Sequence, residues 1–439
     1  MNTFTEGKIV KPLITFALPV LLALFLQSLY GAVDLLIVGQ FGSSADVSAV
    51  ATGSQMMHMI TCVITGLAMG STILLGQFIG SKQDKEASRT IGATIVLFVI
   101  VAIIITILMM ILSAPFTSIM NAPIEAFDKT VSYVRICSAG TLFIVAYNVI
   151  GSIFRGIGDS KTPMITVAIA CICNIVLDLV FVGYFKWNTA GAALATILAQ
   201  AISVVISLFL IKNKKLPFSF NMKDIGFHSS LIKRILYLGF PIALQDGLVN
   251  VSFLAIGSIV NSLGLIASAG VGVAEKICGF IMLVPSSFGQ SLSAFVAQNI
   301  GAGKNDRARK SMHYGMAISF GVGIVISYFS FFHGNLLAGI FSNDSQVILA
   351  AAQYLKGYAI DTLFVAFLFC FTGYFNGCGK TTFVMIQGII GAFLVRIPVS
   401  FIMSRFTSNL FLIGLATPCS TIIQILLCFI YYQKHKKTA

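Results

Sequence analysis

Long apolar runs separated by short polar loops organise the chain from end to end. Roughly 20 apolar residues at 1.5 Å each cross a hydrocarbon core. On that measure the pattern predicts twelve spanning helices, at residues 13–37, 48–77, 90–113, 131–154, 163–184, 190–211, 235–260, 268–298, 313–340, 354–376, 383–404 and 411–432. The opening MNTFTEGKIVKPLITFALPV has no small-residue cleavage site after its apolar stretch, so it reads as a retained first helix.

Composition points to the same solvent. Of 439 residues, 57% are hydrophobic and only 10% charged, where a soluble chain carries about a quarter charged. No stretch is long enough to form a water-soluble domain. The nine cysteines are scattered through apolar runs with no CxxC spacing, which suits small packing residues better than disulfides or metal ligands.

Charge then orients the spans. Loops on one side, from Lys8 and Lys11 through the basic stretch 212–234 to the C-terminal lysines, hold twenty-one Lys and Arg; the other side holds only Lys129, Lys186 and Arg405. By the positive-inside rule both termini are expected in the cytoplasm. The net charge of +13 is therefore a topology signal facing anionic lipid, and nucleic-acid binding is not expected.

The chain also repeats itself. YVRICSAGTLFIVAYNVIGSIFRGIGDSKTPM, from Tyr133, lies on YLKGYAIDTLFVAFLFCFTGYFNGCGKTTFVM, from Tyr354, at an offset of 221, and QFIGSKQDKEAS lies on QNIGAGKNDRAR at the same offset. TFALPV lies on YLGFPI, matching Pro19 to Pro241, and both prolines are candidate hinges. The expected fold is an all-α polytopic membrane protein. A six-helix lobe at 1–211 and another at 235–439 are joined by a basic cytoplasmic linker at 212–234 and related by a pseudo-twofold along the membrane normal. Parallel repeats of this kind put a substrate cavity between the lobes. The repeat also disposes of GYFNGCGKTT as a phosphate loop: its spacing is one residue too long. Its Gly377 and Gly379 fall on Gly156 and Gly158 of a matching loop, which reads as a tight turn.

With no nucleotide motif, the energy source is sought among intramembrane ionisable residues. Each carboxylate at membrane depth costs about 3 kcal/mol on insertion scales. In CNIVLDLVF, Asn174 and Asp178 stand one turn apart on one helix face. Asp34 lies in the first span, with Gln27 and Tyr30 below it; Asn148 and Thr196 lie in the fourth and sixth. The second-half counterparts of Asp34, Asn174 and Asp178 are Ile256, Val395 and Val399. A structural need would recur in both copies, so use in one lobe points to function. Burial disfavours the charged form of a carboxyl and neighbouring carboxyls titrate together, which makes Asp34 and Asp178 candidate proton carriers. The same oxygens, with the two amides and the Thr196 hydroxyl, could instead coordinate Na⁺. Interhelical hydrogen bonding worth about 1 kcal/mol is the structural alternative.

The halves beginning ALPVLLALFLQSLYGAVDLLIVGQFG and GFPIALQDGLVNVSFLAIGSIVNSLG, the stretch GLAMGSTILLGQFIGSKQDKEA and the loop FRGIGDSKTP together resemble the multidrug and toxic compound extrusion (MATE) family over essentially the whole chain. In members with an N-lobe cation site, an acid in the first helix joins an Asn-x-x-x-Asp pair in the fifth, an Asn in the fourth and a Thr in the sixth. Those positions resemble Asp34, Asn174, Asp178, Asn148 and Thr196. The resemblance implies a multi-pass cell-membrane antiporter that exchanges H⁺ or Na⁺ for bulky, often cationic drugs or toxic organic compounds by alternating access. A monomer is expected, with no cofactor beyond the coupling ion. Some sodium-coupled members carry acids in helices 7 and 10; here QDGLVNVSF and LFVAFLFCF hold only Asp246, so a C-lobe ion site of that type is not expected. The remaining second-lobe candidates for the cavity are Gln245, Lys276, beside Glu275, and Arg396, which precedes Ile397–Pro398. The rival reading is a lipid-linked oligosaccharide flippase of the wider superfamily, whose pyrophosphate substrate would call for several cavity cations in both lobes. A membrane-embedded enzyme lacks any nucleophile–base or metal-ligand constellation in the sequence.

Overall fold

The computed structural model describes residues 4–213, 218 and 220–435; of the basic residues counted above, Lys214, Lys215, Lys436 and Lys437 lie outside them. All regular structure among the described residues is helical. Among the described residues, eleven helices are long and apolar enough to cross a membrane, and one further pair, bent by 56°, supplies a twelfth span when read as one. Two compact units divide the chain. One runs Leu18–Ala243, and the other takes in the residues up to Ala17 and those from Leu244 onwards.

The first unit contains most of α1 (Val10–Phe41), then α2 (Ser44–Gly80), α3 (Asp84–Ile119), α4 (Ile124–Ala139), α5 (Thr141–Ile157), α6 (Lys161–Asp178) and α7 (Asn188–Asn213). A capping box starts α2: Asp46 accepts from the Ser43 amide at 2.9 Å while the Ser43 hydroxyl accepts from the Asp46 amide at 3.3 Å. The bent span is α4 with α5. It breaks at Gly140, where a Cβ would stand 2.4 Å from Ile197 of α7. The close approach of α7 leaves no room there for a side chain.

The unit boundaries fall beside Pro19 in α1 and Pro241 in α8 (Ser229–Asn261), both of which are continuous helices. Each leading helix therefore begins in one unit and continues in the other. The expected division around 212–234 followed loop polarity, whereas the first half of α8 packs within the first unit. The reason lies in GLAMG: a Cβ on Gly66 would be 2.7 Å from the Ala243 Cα, and one on Gly70 2.4 Å from the Ile235 carbonyl. Glycines four apart let two helix backbones touch.

The second unit continues through α9 (Leu265–Ile281), α10 (Leu283–Gly301), α11 (Asn305–Phe332), α12 (Gly334–Ala338), α13 (Ser345–Gly377), α14 (Thr381–Ile389), α15 (Ile397–Phe406), α16 (Leu410–Gly414) and α17 (Ala416–His435). A π-helical stretch, Ile390–Arg396, joins α14 to α15 just before Pro398, so the regular α-helical bonding of the span is interrupted beside the Arg-Ile-Pro sequence. The two matched loops are turns: Gly158 and Gly379 adopt φ of +92° and +76°, a region open to glycine at little cost. Gly156 and Gly377 serve packing instead. Cβ atoms there would meet the Thr72 carbonyl at 3.0 Å and Val296 Cβ at 2.7 Å.

Candidate functional site

Within the first unit, α1, α6 and α7 bring four of the five residues singled out above together. The Asp34 carboxyl interacts with the side chains of Asp178, Asn174 and Thr196. Asp34, Asn174 and Asp178 are 5%, 1% and 0% exposed. A π-helical stretch, Leu179–Tyr184, begins directly after Asp178. Such widened turns disturb the regular bonding of a helix and recur at functional sites.

The surroundings are apolar. Ile37 and Val38 lie one turn beyond Asp34, Ile175 is next to Asn174, and Ala192 and Ala193 precede Thr196 by about a turn; all belong to or pack on one core cluster that also holds Tyr133. Tyr133 sits against Gly53, where a Cβ would be 2.4 Å from its ring. Its repeat partner Tyr354 is also buried in a core cluster, so this ring is a wall of the scaffold in both copies. Tyr30 hydrogen-bonds Gln200, and Gln27 donates to the Tyr147 hydroxyl at 3.2 Å.

Five atoms of this cluster are buried without a hydrogen-bond partner: Asp34 Oδ1, both Asp178 oxygens and both amide atoms of Asn174. Buried polar groups are paired in the great majority of cases, and an unpaired one costs about 1–3 kcal/mol. Among the described residues no Lys or Arg is paired with either acid. Ionised carboxylates are acceptors only, so acceptors face acceptors here.

No described hydrogen bond joins Asn148 to the other four. Its amide donates to the Ile144 carbonyl at 2.8 Å and its oxygen accepts from Thr65 at 3.4 Å. It lies on α5, beyond the 56° bend from α4, which turns the helix faces in a way residue spacing does not convey.

The second unit corrects one expectation. Asp361, two residues before LFVAFLFCF, is a buried acid in the tenth span, 1% exposed, and it interacts with Thr421 and Arg396. Arg396 is itself buried. Its Nη1 donates to Ser252 Oγ at 3.2 Å and its guanidinium lies 4.5 Å over the Phe253 ring. This acid has a cation beside it, unlike the pair in the first unit. The reading from sequence missed it because it began the stretch too late. Ile256, at the repeat position of Asp34, is 1% exposed in an apolar core cluster, so the scaffold is satisfied there by a hydrocarbon side chain. Asp246 and Gln245 are half-buried, and Gln245 packs on Gly388. No described ion pair joins Glu275 to Lys276; both side chains are exposed.

Comparison with known proteins agrees on one family. A family model described as MatE matches residues 19–180 and again 241–402, one copy in each half of the sequence. The "Probable multidrug resistance protein YpnP" of Bacillus subtilis is 29% identical over 431 residues, covering 98% of this chain and 96% of the relative. The "Multidrug export protein MepA" of Staphylococcus haemolyticus is 24% identical, covering 98% and 94%. Among solved structures, "Crystal structure of MATE in complex with MaL6" superposes with a TM-score of 0.92 at 19% identity, covering 99% of this chain and 98% of that one, a likeness of fold.

Proposed function

The chain belongs to the MatE family, and from that premise we propose that it is a multi-pass plasma-membrane exporter of bulky organic cations, driven by exchange for H⁺ or Na⁺. Relatives named for multidrug resistance and export match it nearly end to end, which supports the export of drugs or similar toxic compounds. The basic loops support an orientation with both termini in the cytoplasm. The work done is transport, with no bond made or broken in the cargo.

One observation carries the coupling: two buried carboxyls and a buried amide in the first unit with five unsatisfied polar atoms and, among the described residues, no paired Lys or Arg. A proton shared by the carboxyls, or a Na⁺ shared by their oxygens with Asn174 and Thr196, satisfies those atoms; either occupant is the exchanged ion. Antiport follows if the occupied and vacated cluster favour different conformations, since an ion shifts an equilibrium only by its difference in affinity for the two states. Asp34 lies on α1, the helix that passes between units beside Pro19, and this links the cluster to a candidate hinge. Alternating access through α1 is the mechanism we propose.

Transport in reconstituted vesicles tests this reading. With an imposed pH or Na⁺ gradient, ethidium uptake by the purified protein should depend on one of the two gradients and dissipate it. Uptake indifferent to both would overturn ion coupling, and no uptake of any organic cation would overturn the export reading.

A further inference from the structure

In the second unit, the start of the chain is strapped onto the start of α11. Arg307 donates from Nε to the Phe4 carbonyl at 2.8 Å, from Nη1 to Gly7 at 2.6 Å, and from Nη2 to Glu6 at 2.8 Å and Lys8 at 3.3 Å. Asn299 gives the Phe4 carbonyl a further bond at 3.2 Å, and Lys304 Nζ bonds the Thr5 carbonyl at 2.9 Å. Phe4 is fully buried against Phe16 and Phe295, with ring centroids 5.0 and 4.8 Å away. Charge-assisted bonds to five consecutive carbonyls, Phe4 to Lys8, leave this strap little freedom.

Between the strap and α11 lies a cavity of about 1290 Å³. Lys8 and Lys11 line it from one side, and Lys304, Arg307 and Lys310 from the other; Asp306 is the one acid in the lining. Arg307 spends its donors on the strap, whereas the side chains of Lys8, Lys11 and Lys310 are exposed and take part in no described hydrogen bond. The cavity also has an apolar side, where Val10 and Ile14 are exposed. Both of its walls run into helices long and apolar enough to cross a membrane. The cavity thus joins several free ammonium groups to hydrocarbon at the end of two spans.

The duplication shows that the scaffold does not require the Arg307 strap. At the offset of 221, Arg89 keeps the charge of Lys310, but Glu86 stands for Arg307 and Gln83 for Lys304. There, the stretch Met222–Asp224 is tied to α3 by an acid, Asp224 Oδ2 accepting from Ser88 Oγ at 2.6 Å. Each unit fastens its preceding segment, the first through the Asp224 carboxylate and the second through the Arg307 guanidinium.

We infer that this cavity binds the headgroup of an anionic phospholipid, its phosphate held by Lys8, Lys11 and Lys310 and its acyl chains lying along Val10 and Ile14. A free phosphate would have no use for the apolar side. Lipid binding by the purified chain can be measured without transport, so the inference and the export reading fail separately.

The test uses the full-length protein in detergent, with bound ligand read by native mass spectrometry. Dioctanoyl phosphatidylglycerol, dioctanoyl phosphatidylcholine and inorganic phosphate are titrated in turn. Phosphatidylglycerol should be retained in preference to phosphatidylcholine. The triple variant Lys8→Gln, Lys11→Gln, Lys310→Gln should bind it more weakly, on the order of fivefold for each lysine removed. Arginine at the same three positions should keep the affinity, and Lys310→Gln alone gives the single-lysine effect should the triple variant not be recovered. Equal retention of the two lipids, unchanged binding by the glutamine variants, or phosphate binding as tightly as phosphatidylglycerol would each overturn the assignment.

Discussion

Asp34 of α1 and Asp178, the last residue of α6 before its π-helical turn, interact through their carboxyls inside an apolar core. Each acid costs about 3 kcal/mol to place at membrane depth, and the repeat partners Ile256 and Val399 show that the fold forms without them. Asp178→Asn keeps the volume and removes the exchangeable proton and the charge. Drug-evoked dissipation of an imposed ion gradient in vesicles should fall to background while the protein still inserts and expresses. Wild-type rates in that variant would reduce Asp178 to helix glue.

In the proposed exchange, Asn174 is expected to play a lesser part. It can supply a neutral oxygen or orient Asp178, but it carries no proton to release. Asn174→Ala should weaken ion affinity by about 1.5–3 kcal/mol, the worth of one hydrogen bond to a charged group, which is roughly tenfold or more. Dependence of the transport rate on ion concentration checks this. A complete loss, as in Asp178→Asn, would mean that the amide is itself indispensable to the exchange.

Close contact of α2 with the first half of α8 depends on glycine. A Cβ at Gly239 would stand 2.2 Å from the Leu67 carbonyl, and backbone cannot move aside as a side chain can. Gly239→Ala should therefore destabilise by about 1–3 kcal/mol or more, read as a lower melting temperature in detergent. Gly247, on the same helix with nothing within 4 Å of its Cβ position, is the control. Gly247→Ala should be neutral or stabilising, since alanine is the better helix former by about 1 kcal/mol.

Spans and turns were legible in the sequence because their causes are local: run length, the repeat, and glycine at Gly158 and Gly379. The convergence of Asp34, Asn174, Asp178 and Thr196 was legible through the acids' cost and their absence from the other half. Other features depend on where helices travel. Asn148 follows a bend that reorients its helix, and Arg396 has its partners Ser252 and Phe253 on a helix some 140 residues earlier. The strap of Phe4 on Arg307 is held through main-chain carbonyls, which every residue has, so it leaves no side-chain pattern to read. The unit boundaries lie inside helices that show no break in polarity.

Also in the first unit, Asp46 is buried and collects four side-chain or main-chain donors. Lys129 Nζ lies at 2.8 Å, Thr189 Oγ1 at 2.8 Å, the Ser43 amide at 2.9 Å and the Ser43 hydroxyl at 2.6 Å. This one carboxylate ties the start of α2 to α4 and to the start of α7. Asp46→Ala removes all of these bonds and should cost about 2–4 kcal/mol. Lys129 is 41% exposed, and its loss leaves Asp46 three other donors, so Lys129→Ala should cost about 1–2 kcal/mol. Denaturation midpoints of the two variants check the order; equal losses would show that the ion pair alone holds the junction.

The two basic loops test the orientation on which the plasma-membrane reading rests. Lys82 to Arg89 follows α2 and runs into α3; Lys304 to Lys310 follows α10 and opens α11, and the repeat maps one onto the other. Two spanning helices, α1 and α2, precede the first loop, so it returns to the side of the N-terminus. An even number of spans separates it from the second, which should face the same way. Single cysteines at Gln83 and Asn305, in a protein stripped of its nine native cysteines, report this directly. An impermeant maleimide added to intact cells should leave both unlabelled, and permeabilisation should expose both. Labelling of both from outside would invert the whole protein, placing its basic loops against the positive-inside rule. Labelling of one alone would break the even count and with it the reading of α4 and α5 as a single bent span.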